Sequence, residues 1–478
     1  MSTIRLDHAT VIAHRGGEPL VLPDQSIVVD GSKIRAVMPT HVALDPRLGY
    51  ATAEEVRHLG GVTHPTSPAT RFDEIIDASK HLVIPGLVNT HHHLFQSLTR
   101  GLKSVQSLAL FDWLNGLYPR WQTLDFDAVK LASQISIAEL LLSGCTTTSD
   151  HYYLFPKGSN IGLHAVLEAA ESLGIRIHAC RGGMSVGQSK GGLPPDACVE
   201  DEADILRNCQ QVIDRFHDAR IRSMRRIDLA PCAPFSVSAE LLRDTAAMAR
   251  EQCSLLHTHA AETLDEEKYC QDRFGMRPIE WLDQNGWLGT DVYLAHCVHL
   301  SDNDISRLAK TQTGIAHCPC SNMRLGSGIA PIRKLLNAGA KVGLGVDGSS
   351  SNDGGHLLAE ARQAMLLQRA VGGPGAMTPE EAFRLATLGG AAVLNRRELG
   401  NLDDDFAADI AMYRRDDIAL AGAVELDPLG ALMLCHVGRA DRVFVNGRTV
   451  VKDGQITGVD LPILTERFNR LVRGKFRD

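Results

Sequence analysis

The sequence lacks the features that would direct a chain into a membrane, onto nucleic acid or out of the cell. It has no run of about eighteen uninterrupted apolar residues, which a membrane-spanning helix needs. Its first residues, "MSTIRLDHATVIAHRGGEP", do not contain the apolar core of a signal peptide. The net charge of −8 argues against binding to nucleic acid or anionic lipid, because both require a basic surface. We therefore expect a cytoplasmic protein that binds neither.

Paired cysteine motifs are also missing. The eleven cysteines form no CxxC…CxxC zinc site, and we expect "CPC" at Cys318 to Cys320 to pack in the core instead of binding metal. Without an export signal, the cysteines are expected to be reduced thiols. What is present is a chain of 478 residues that is 44% hydrophobic and 22% charged, long enough for two or three ordinary domains or for one large barrel with an accessory unit.

The two ends of the sequence share one pattern. "SIVVDGSKIRAV" has two short β runs around Asp30-Gly31, and "DRVFVNGRTVVKDGQI" has the same arrangement around Asn446-Gly447. Asp-Gly and Asn-Gly supply the positive φ angles that tight hairpins require. Both ends are therefore predicted to be antiparallel strands, and they could pair with each other in one small sheet domain.

The middle of the chain alternates short apolar runs with longer amphipathic stretches. Eight such alternations predict a closed parallel β/α barrel. The alternative is an open doubly wound sheet, which would normally show a glycine-rich phosphate turn after its first strand, and none is present here. The candidate strands are "HLVIPGLVNT", "CTTTSD", "IRIHACRG", "RIDLAPCAP", "SLLHTHAA", "VYLAHC", "GIAHCPC" and "KVGLGVDG".

Polar residues follow almost every one of these candidate strands. In a β/α barrel the carboxyl ends of the strands converge on one mouth, so residues far apart in sequence would meet in one pocket. Any one of these residues alone could be an ordinary core or surface side chain. Their joint placement favours a functional site formed by His91, His93, Asp150, His151, Arg181, His259, Glu262, His296, His317 and Asp347.

Three of the histidines can be expected to bind a metal ion. Residues i and i+2 of a strand point to the same side, so His91 and His93 face one way. His259 offers a third nitrogen, and Asp347 offers a carboxylate that can either coordinate or accept a proton. His296 could do either job. Three or four protein ligands with one open position are typical of a catalytic zinc site.

Glu262 lies three residues after His259. A glutamate at such a strand-to-loop junction can lean over a metal without binding it, and can then act as a general acid and base. The alternative is an ordinary solvated glutamate, because the surrounding segment "AAETLDEEKY" is rich in acids.

Four motifs in this order resemble the amidohydrolase superfamily, in particular its branch that deaminates nucleobases and aminotriazines. They are "PGLVNTHHH", "HTHAAET", "LAHCVHL" and "GLGVDGSSSND". The resemblance implies a distorted (β/α)8 TIM barrel at 83–400. It also implies a small β-sandwich formed by both termini, 1–82 and 401–478, with a terminal helix. It further implies the metal ligands His91, His93, His259 and Asp347, and the catalytic residues Glu262, His296 and Asp347.

Ring-opening members of the superfamily use two metals bridged by a carboxylated lysine after the fourth strand. The corresponding segment here, "RIDLAPCAPFSVSAE", contains no lysine. We therefore expect one divalent metal, zinc or alternatively iron(II). Family members often pair, which implies a homo-oligomer.

The segments between the motifs resemble the group of this family that deaminates 8-oxoguanine. These segments include "HHHLFQSLTRGL", "DHYYLFP", "GGLPPD" and "HCPCSNMRLGSGIAPI". The resemblance implies hydrolysis of 8-oxoguanine to urate and ammonia. Guanine, isocytosine or a hydroxy-s-triazine are the alternative substrates. A catalytically inactive barrel that serves as a scaffold is the alternative of a different class, although such scaffolds typically lose metal ligands.

Five residues are predicted to contact the substrate. The family pattern places Gln96 at the pocket, where its amide could pair with a purine carbonyl and ring N–H. Tyr152 and Tyr153 could stack on a planar base or could simply pack under a loop. Arg181 and Cys318 complete the predicted set.

Overall fold

A computed structural model describes residues 3–45, 72–156, 159 and 161–476. Residues 46–71 of the predicted N-terminal unit lie outside the described residues. Within the described part of the chain, no helix is both long enough and apolar enough to cross a lipid bilayer.

The described residues contain seventeen β-strands, numbered here in chain order. The first five are β1 (Thr3–Arg15), β2 (Glu18–Asp30), β3 (Lys33–Pro39), β4 (Glu74–Asp77) and β5 (His81–Pro85). The next eight are β6 (Leu87–Asn89), β7 (Cys145–Tyr152), β8 (Arg176–Gly183), β9 (Arg225–Pro231), β10 (Leu256–Ala260), β11 (Val292–His296), β12 (Gly314–His317) and β13 (Lys341–Leu344). The last four are β14 (Ile410–Arg414), β15 (Arg442–Val445), β16 (Arg448–Lys452) and β17 (Gln455–Ile456).

Helices connect the strands and cover the outside of the barrel. Many begin with a side-chain cap, as at Asp125, Ser238 and Ser301, where the capping oxygen accepts a backbone N–H of the first turn. The main α-helices are Leu110–Trp121, Phe126–Leu142, His164–Leu173, Glu202–Phe216, Ala239–Glu251, Leu264–Phe274, Pro278–Gln284, Asp302–Thr311, Leu357–Gly372, Pro428–Leu434 and Leu461–Lys475. Shorter α-helices are Thr40–Ala43, Pro319–Arg324, Ile332–Asn337, Pro379–Arg384, Gly390–Val393 and Ala423–Leu426.

Strands β6 to β13 form a closed parallel barrel, in which β13 pairs with β6. This confirms the predicted (β/α)8 architecture and excludes the open doubly wound sheet. One detail of the prediction is wrong: "HLVIPGLVNT" forms two strands. The first, β5, belongs to the sheet formed by the two ends of the chain, and only the second, β6, belongs to the barrel. The division falls at Gly86, where any Cβ would collide with the side chain of Thr146. Only glycine allows the chain to pass so close to β7.

The two ends of the chain meet in one nine-stranded sheet. Its order is β17-β16-β15-β14-β5-β1-β2-β3, with β4 paired to β1. Both predicted hairpins are present, and Asn446 and Gly447 have φ angles of 53° and 77°, as a tight turn requires. The link between the ends is β14, which pairs antiparallel with β5. The proposed boundaries at 82/83 and 400/401 stay a prediction.

Candidate metal centre

The predicted polar residues gather at the carboxyl ends of the barrel strands. His91 and His93 follow β6, His259 lies near the end of β10, His296 ends β11, and Asp347 follows β13. His296 and Asp347 have φ angles of 71° and 61°, in the left-handed region that residues other than glycine rarely adopt. Such strained backbone persists only where surrounding structure imposes it, and it is concentrated at functional sites.

Four donor atoms face one point. The Asp347 Oδ1 atom lies 3.3 Å from Nε2 of His91 and 3.4 Å from Nε2 of His93. The Nε2 atoms of His93 and His259 are 3.1 Å apart. Zinc bonds of about 2.0–2.1 Å in tetrahedral geometry place neighbouring ligand atoms about 3.3 Å apart, so these distances match such a site.

The other ring nitrogen of each imidazole is already engaged. Nδ1 of His93 donates to the carbonyl of His151 at 2.6 Å, and Nδ1 of His259 donates to the carbonyl of Cys232 at 2.6 Å. Because a carbonyl only accepts, both Nδ1 atoms carry the proton and both Nε2 atoms carry a lone pair.

The resulting arrangement suits a cation. Two lone pairs that face each other at 3.1 Å repel unless a positive charge lies between them. Nε2 of His91 is buried and has no hydrogen-bond partner among the described residues. Three nitrogens and one carboxylate oxygen are a donor set that zinc favours.

The protonation states agree with this reading. Burial lowers the pKa of His91 well below its usual value, and it lowers the pKa of His259 to about 3. Both rings are therefore neutral, which is the form that binds metals. Burial alone would raise the pKa of Asp347, but the close contact with His91 and the nearby His296 and His93 hold that pKa well below the usual range.

His151 lies beside this set. His91, His151 and His259 also place one donor atom each within 4.8 Å of one another. The set that contains Asp347 is favoured here because it adds a negatively charged ligand. Nε2 of His151 donates to the carbonyl of Ala230 at 2.9 Å, so that only its Nδ1 atom could face a metal.

Residues of the helix Pro319–Arg324, together with Ser351 after β13, hold Asp347 and His296 in place. Ser321 Oγ donates to Asp347 Oδ2 at 2.5 Å, and Ser351 Oγ donates to the same oxygen at 3.2 Å. Nδ1 of His296 donates to Asn322 Oδ1 at 2.9 Å, which turns Nε2 of His296 toward Asp347 Oδ2, 4.0 Å away. The segment "SNMRLGSG" is therefore more than a plain turn.

Glu262 lies next to His296 and outside the four-donor set. Its Oε2 atom is 3.4 Å from Nε2 of His296, and its Oε1 atom accepts a hydrogen bond from Ser327 Oγ at 3.3 Å. Burial raises the pKa of Glu262 to about 7, so the carboxyl group can gain or lose a proton near neutral pH. It is not the solvated glutamate of the alternative interpretation.

A cavity opens in front of these residues. Its floor includes His93, His259, Glu262, His296 and Asp347. Its other walls are mostly apolar and aromatic, as is typical of sites for planar ligands: Leu110, Trp113, Leu114, Tyr118, Phe235 and Leu325. Gln96 and Tyr153 also line it, as the sequence predicted for substrate contacts.

The other three predicted substrate contacts do not line this cavity, and we correct them. Tyr152 packs edge-on against Phe95 and Phe155. Its hydroxyl is buried without a hydrogen-bond partner among the described residues.

Arg181 and Cys318 are occupied elsewhere. Arg181 forms an ion pair with Glu200 at 2.8 Å, and its guanidinium lies 3.7 Å from the centre of the Phe155 ring. Cys318 is buried, and its thiol lies 3.5 Å from the carbonyl of Ala316. Neither side chain is among those that line the cavity.

Sequence reasoning missed His257. Its Nε2 atom lies 2.7 Å from Nδ1 of His91. The signal was available, because His257 precedes His259 by two residues in β10 and therefore shares its face of the strand. Cys232 and Trp113, which line the cavity, carried no comparable sequence signal.

Comparison with known proteins adds three findings. The family model described as "Amidohydrolase family" matches residues 82–458. The chain is 47% identical to the 8-oxoguanine deaminase of Pseudomonas aeruginosa, over 86% of this chain and 91% of that protein. It is 36% identical to the hydroxydechloroatrazine ethylaminohydrolase of Pseudomonas sp. strain ADP, over 81% of each chain.

A solved structure is similar over nearly the whole chain. The crystal structure of an atrazine chlorohydrolase from Arthrobacter aurescens TC1, complexed with zinc, superposes with a TM-score of 0.88. The two sequences are 32% identical, and the match covers 98% of this chain and 100% of the other.

Proposed function

The chain belongs to the amidohydrolase family and is a hydrolase of carbon–nitrogen bonds in cyclic amidines, and we propose that it converts 8-oxoguanine and water to urate and ammonia. One observation of the structure carries the proposal. Three neutral imidazoles and an ionised carboxylate face one point, with a protonatable glutamate beside them at the floor of an apolar cavity. The relative named for 8-oxoguanine supports this substrate, because it is 47% identical over most of the chain.

A metal cofactor is supported by the donor set and by the zinc-bound neighbour structure. We propose a single zinc ion, held by His91, His93, His259 and Asp347. A divalent ion at this point supplies Lewis acidity, which makes water a nucleophile near neutral pH.

The protein residues would then direct the proton transfers. His296 and Asp347 orient the attacking water and accept its proton as the oxygen bonds to C2 of the base. Glu262 protonates the adjacent ring nitrogen, which makes C2 electrophilic. It then takes the proton of the new C2 hydroxyl and delivers it to the departing amine. The C2–N bond breaks, ammonia leaves and the ring carries a new carbonyl. The water proton held by His296 and Asp347 returns to Glu262, so that atoms and charge balance.

The cavity walls would hold the planar ring. Tyr153 and the apolar side chains enclose its faces, and the Gln96 amide can both donate to a carbonyl and accept from a ring N–H. These are the groups that an oxidised purine presents along its edge.

A substrate panel tests the choice of ring. Purified protein is mixed with 8-oxoguanine, guanine, isocytosine and a hydroxy-s-triazine, and turnover is followed by ultraviolet absorbance and by ammonia release. We expect the highest kcat/KM with 8-oxoguanine. If 8-oxoguanine is inert while the triazine turns over, the proposed substrate is wrong and the aminohydrolase of strain ADP is the better guide.

Metal analysis tests the alternative of an inactive scaffold. We expect about one equivalent of zinc or iron per chain, as a catalytic site of this ligand set would hold. Native protein with neither metal, and no turnover after zinc is added, would favour the scaffold. The predicted homo-oligomer stays a prediction.

A further inference from the structure

His91 differs from the other two imidazoles in what holds its Nδ1 atom. His93 and His259 each donate to a backbone carbonyl, which no substitution can remove. His91 instead contacts a side chain, because its Nδ1 atom lies 2.7 Å from Nε2 of His257. The orientation of one metal-facing ring therefore depends on the identity of a second histidine.

The direction of each hydrogen bond in the series His91–His257–Tyr293 follows from its last member, the carbonyl of Tyr293. Nδ1 of His257 lies 2.8 Å from the carbonyl of Tyr293, which can only accept, so that Nδ1 carries the proton. In a neutral ring, Nε2 of His257 is then an acceptor. His91 must donate to it through Nδ1, which leaves the lone pair of His91 Nε2 directed at the metal point.

His257 is itself held rigidly. Its ring stacks on the ring of Tyr293, with centroids 3.9 Å apart and an angle of 10° between the planes. The hydroxyl of Tyr293 donates to Asp228 at 3.0 Å and contacts Ser149 Oγ at 2.8 Å. All of these side chains are buried, so that the His257 ring has one fixed position.

We propose that His257 is a positioning residue that fixes the tautomer and the ring orientation of His91, and through them sets the affinity of the site for its metal ion. The proposal rests on the proposed metal centre. Hydrogen-bond partners of this kind typically change metal affinity by about 10–100-fold when they are removed.

Two amide substitutions separate the acceptor role from packing. His257→Gln places an amide near the position of Nε2 and keeps an acceptor for His91. His257→Asn places the amide near Nδ1, so it keeps the contact with the Tyr293 carbonyl and withdraws the acceptor from His91. The two variants therefore break opposite halves of the same chain of hydrogen bonds.

Zinc affinity of the metal-depleted proteins is measured by competition with a chromophoric chelator, and their thermal unfolding is measured without metal. We expect His257→Asn to bind zinc about 10–100-fold more weakly than wild type, and His257→Gln to stay within a few-fold. Equal zinc affinity in the two variants would overturn the proposal, whether or not the metal-free proteins are destabilised. If His257→Asn fails to fold, weak zinc binding by a well-folded His257→Gln would overturn it as well.

Substrate turnover is not used in this experiment, so a wrong substrate does not affect it. If the wild-type protein binds no zinc, the proposed metal centre itself is wrong.

Discussion

Two buried polar clusters lie in the same barrel, and they differ in how their atoms are partnered. The metal-end cluster (His91, His93, His259 and Asp347) lies at the carboxyl ends of the strands. The paired cluster (His178, Asp228, Tyr293, Arg396 and Glu398) lies nearer the strand beginnings. In the paired cluster each histidine or arginine donor named here faces a carboxylate: His178 Nδ1 faces Asp228 at 2.9 Å, and Arg396 Nε faces Glu398 at 2.7 Å. Only Asp228 Oδ1 lacks a partner among the described residues of this cluster.

The difference shows what distinguishes a functional site from a structural one. Both clusters are buried and both contain histidine and carboxylate, so burial and composition alone do not separate them. In the metal-end cluster, lone pairs face each other, and Nε2 of His91 has no partner among the described residues. Unpartnered buried acceptors are costly, and a cation that binds to all of them removes the cost.

The largest effect is expected when one ligand of the metal-end cluster is removed. His259→Ala removes one of three nitrogen ligands, so we expect the purified variant to lose its zinc and its turnover together. Metal content by mass spectrometry and ammonia release check this. The matched control is wild type treated with a chelator, whose activity should return when zinc is added back. A His259→Ala protein with a full complement of zinc would show that the ligand set is wrong.

The second effect separates chemistry from metal binding within the site. Glu262→Gln keeps the shape of the side chain but cannot shuttle a proton, so we expect kcat to fall at least about 10²-fold. Metal content and thermal stability should stay at the wild-type level. Metal loss equal to that of His259→Ala would mean that Glu262 supports the ion and is not a proton shuttle.

The third effect acts on the paired cluster. Asp228→Asn leaves the buried donors of His178 and Tyr293 with a poorer acceptor, so we expect a loss of about 1–3 kcal/mol in the free energy of unfolding. Zinc content should fall much less than in His259→Ala, because Asp228 touches the metal ligands only through Tyr293 and His257. Denaturant titration measures the free energy of unfolding, and metal analysis measures the zinc content. If Asp228→Asn has the stability of wild type but contains no zinc, the paired cluster is not purely structural and the comparison of the two clusters is wrong.

The smallest effects compare two neighbouring tyrosines. Tyr153→Phe removes a hydroxyl from a residue of the cavity wall, and we expect KM to rise by roughly 3–10-fold, as for one lost hydrogen bond. Tyr152→Phe removes a buried hydroxyl that has no partner among the described residues, so KM should stay unchanged and stability should not fall. A rise in KM for Tyr152→Phe alone would place the wrong tyrosine at the substrate.

Much of the fold could be predicted from the sequence because the strands are short apolar runs that are clearly separated by longer amphipathic stretches. Each of the eight barrel strands overlaps its predicted run, and only β7, β8 and β9 extend past it, by one or two residues. The division of the first run at Gly86 could not be predicted, because it depends on the approach of Thr146, a contact between segments sixty residues apart.

Side-chain direction was harder to predict than position along the chain. The spacing of His91 and His93 predicted that they share a face, and the structure brings them to one point with Asp347. The same spacing could not show that His257 would face another imidazole. Nor could it show which of Tyr152 and Tyr153 lines the cavity, because β7 ends at Tyr152 and the path of the chain beyond it is set by tertiary contacts.

The pairing of β5 with β14 has a consequence for biosynthesis. Pro85 and Ile410 are partners in the terminal sheet, yet the whole barrel lies between them in the chain. During translation, the first hairpin leaves the ribosome long before the strand that completes its sheet exists. The barrel is therefore synthesised while β5 still has an unpaired edge. The nine-stranded sheet is one of the last parts of the molecule that can be completed.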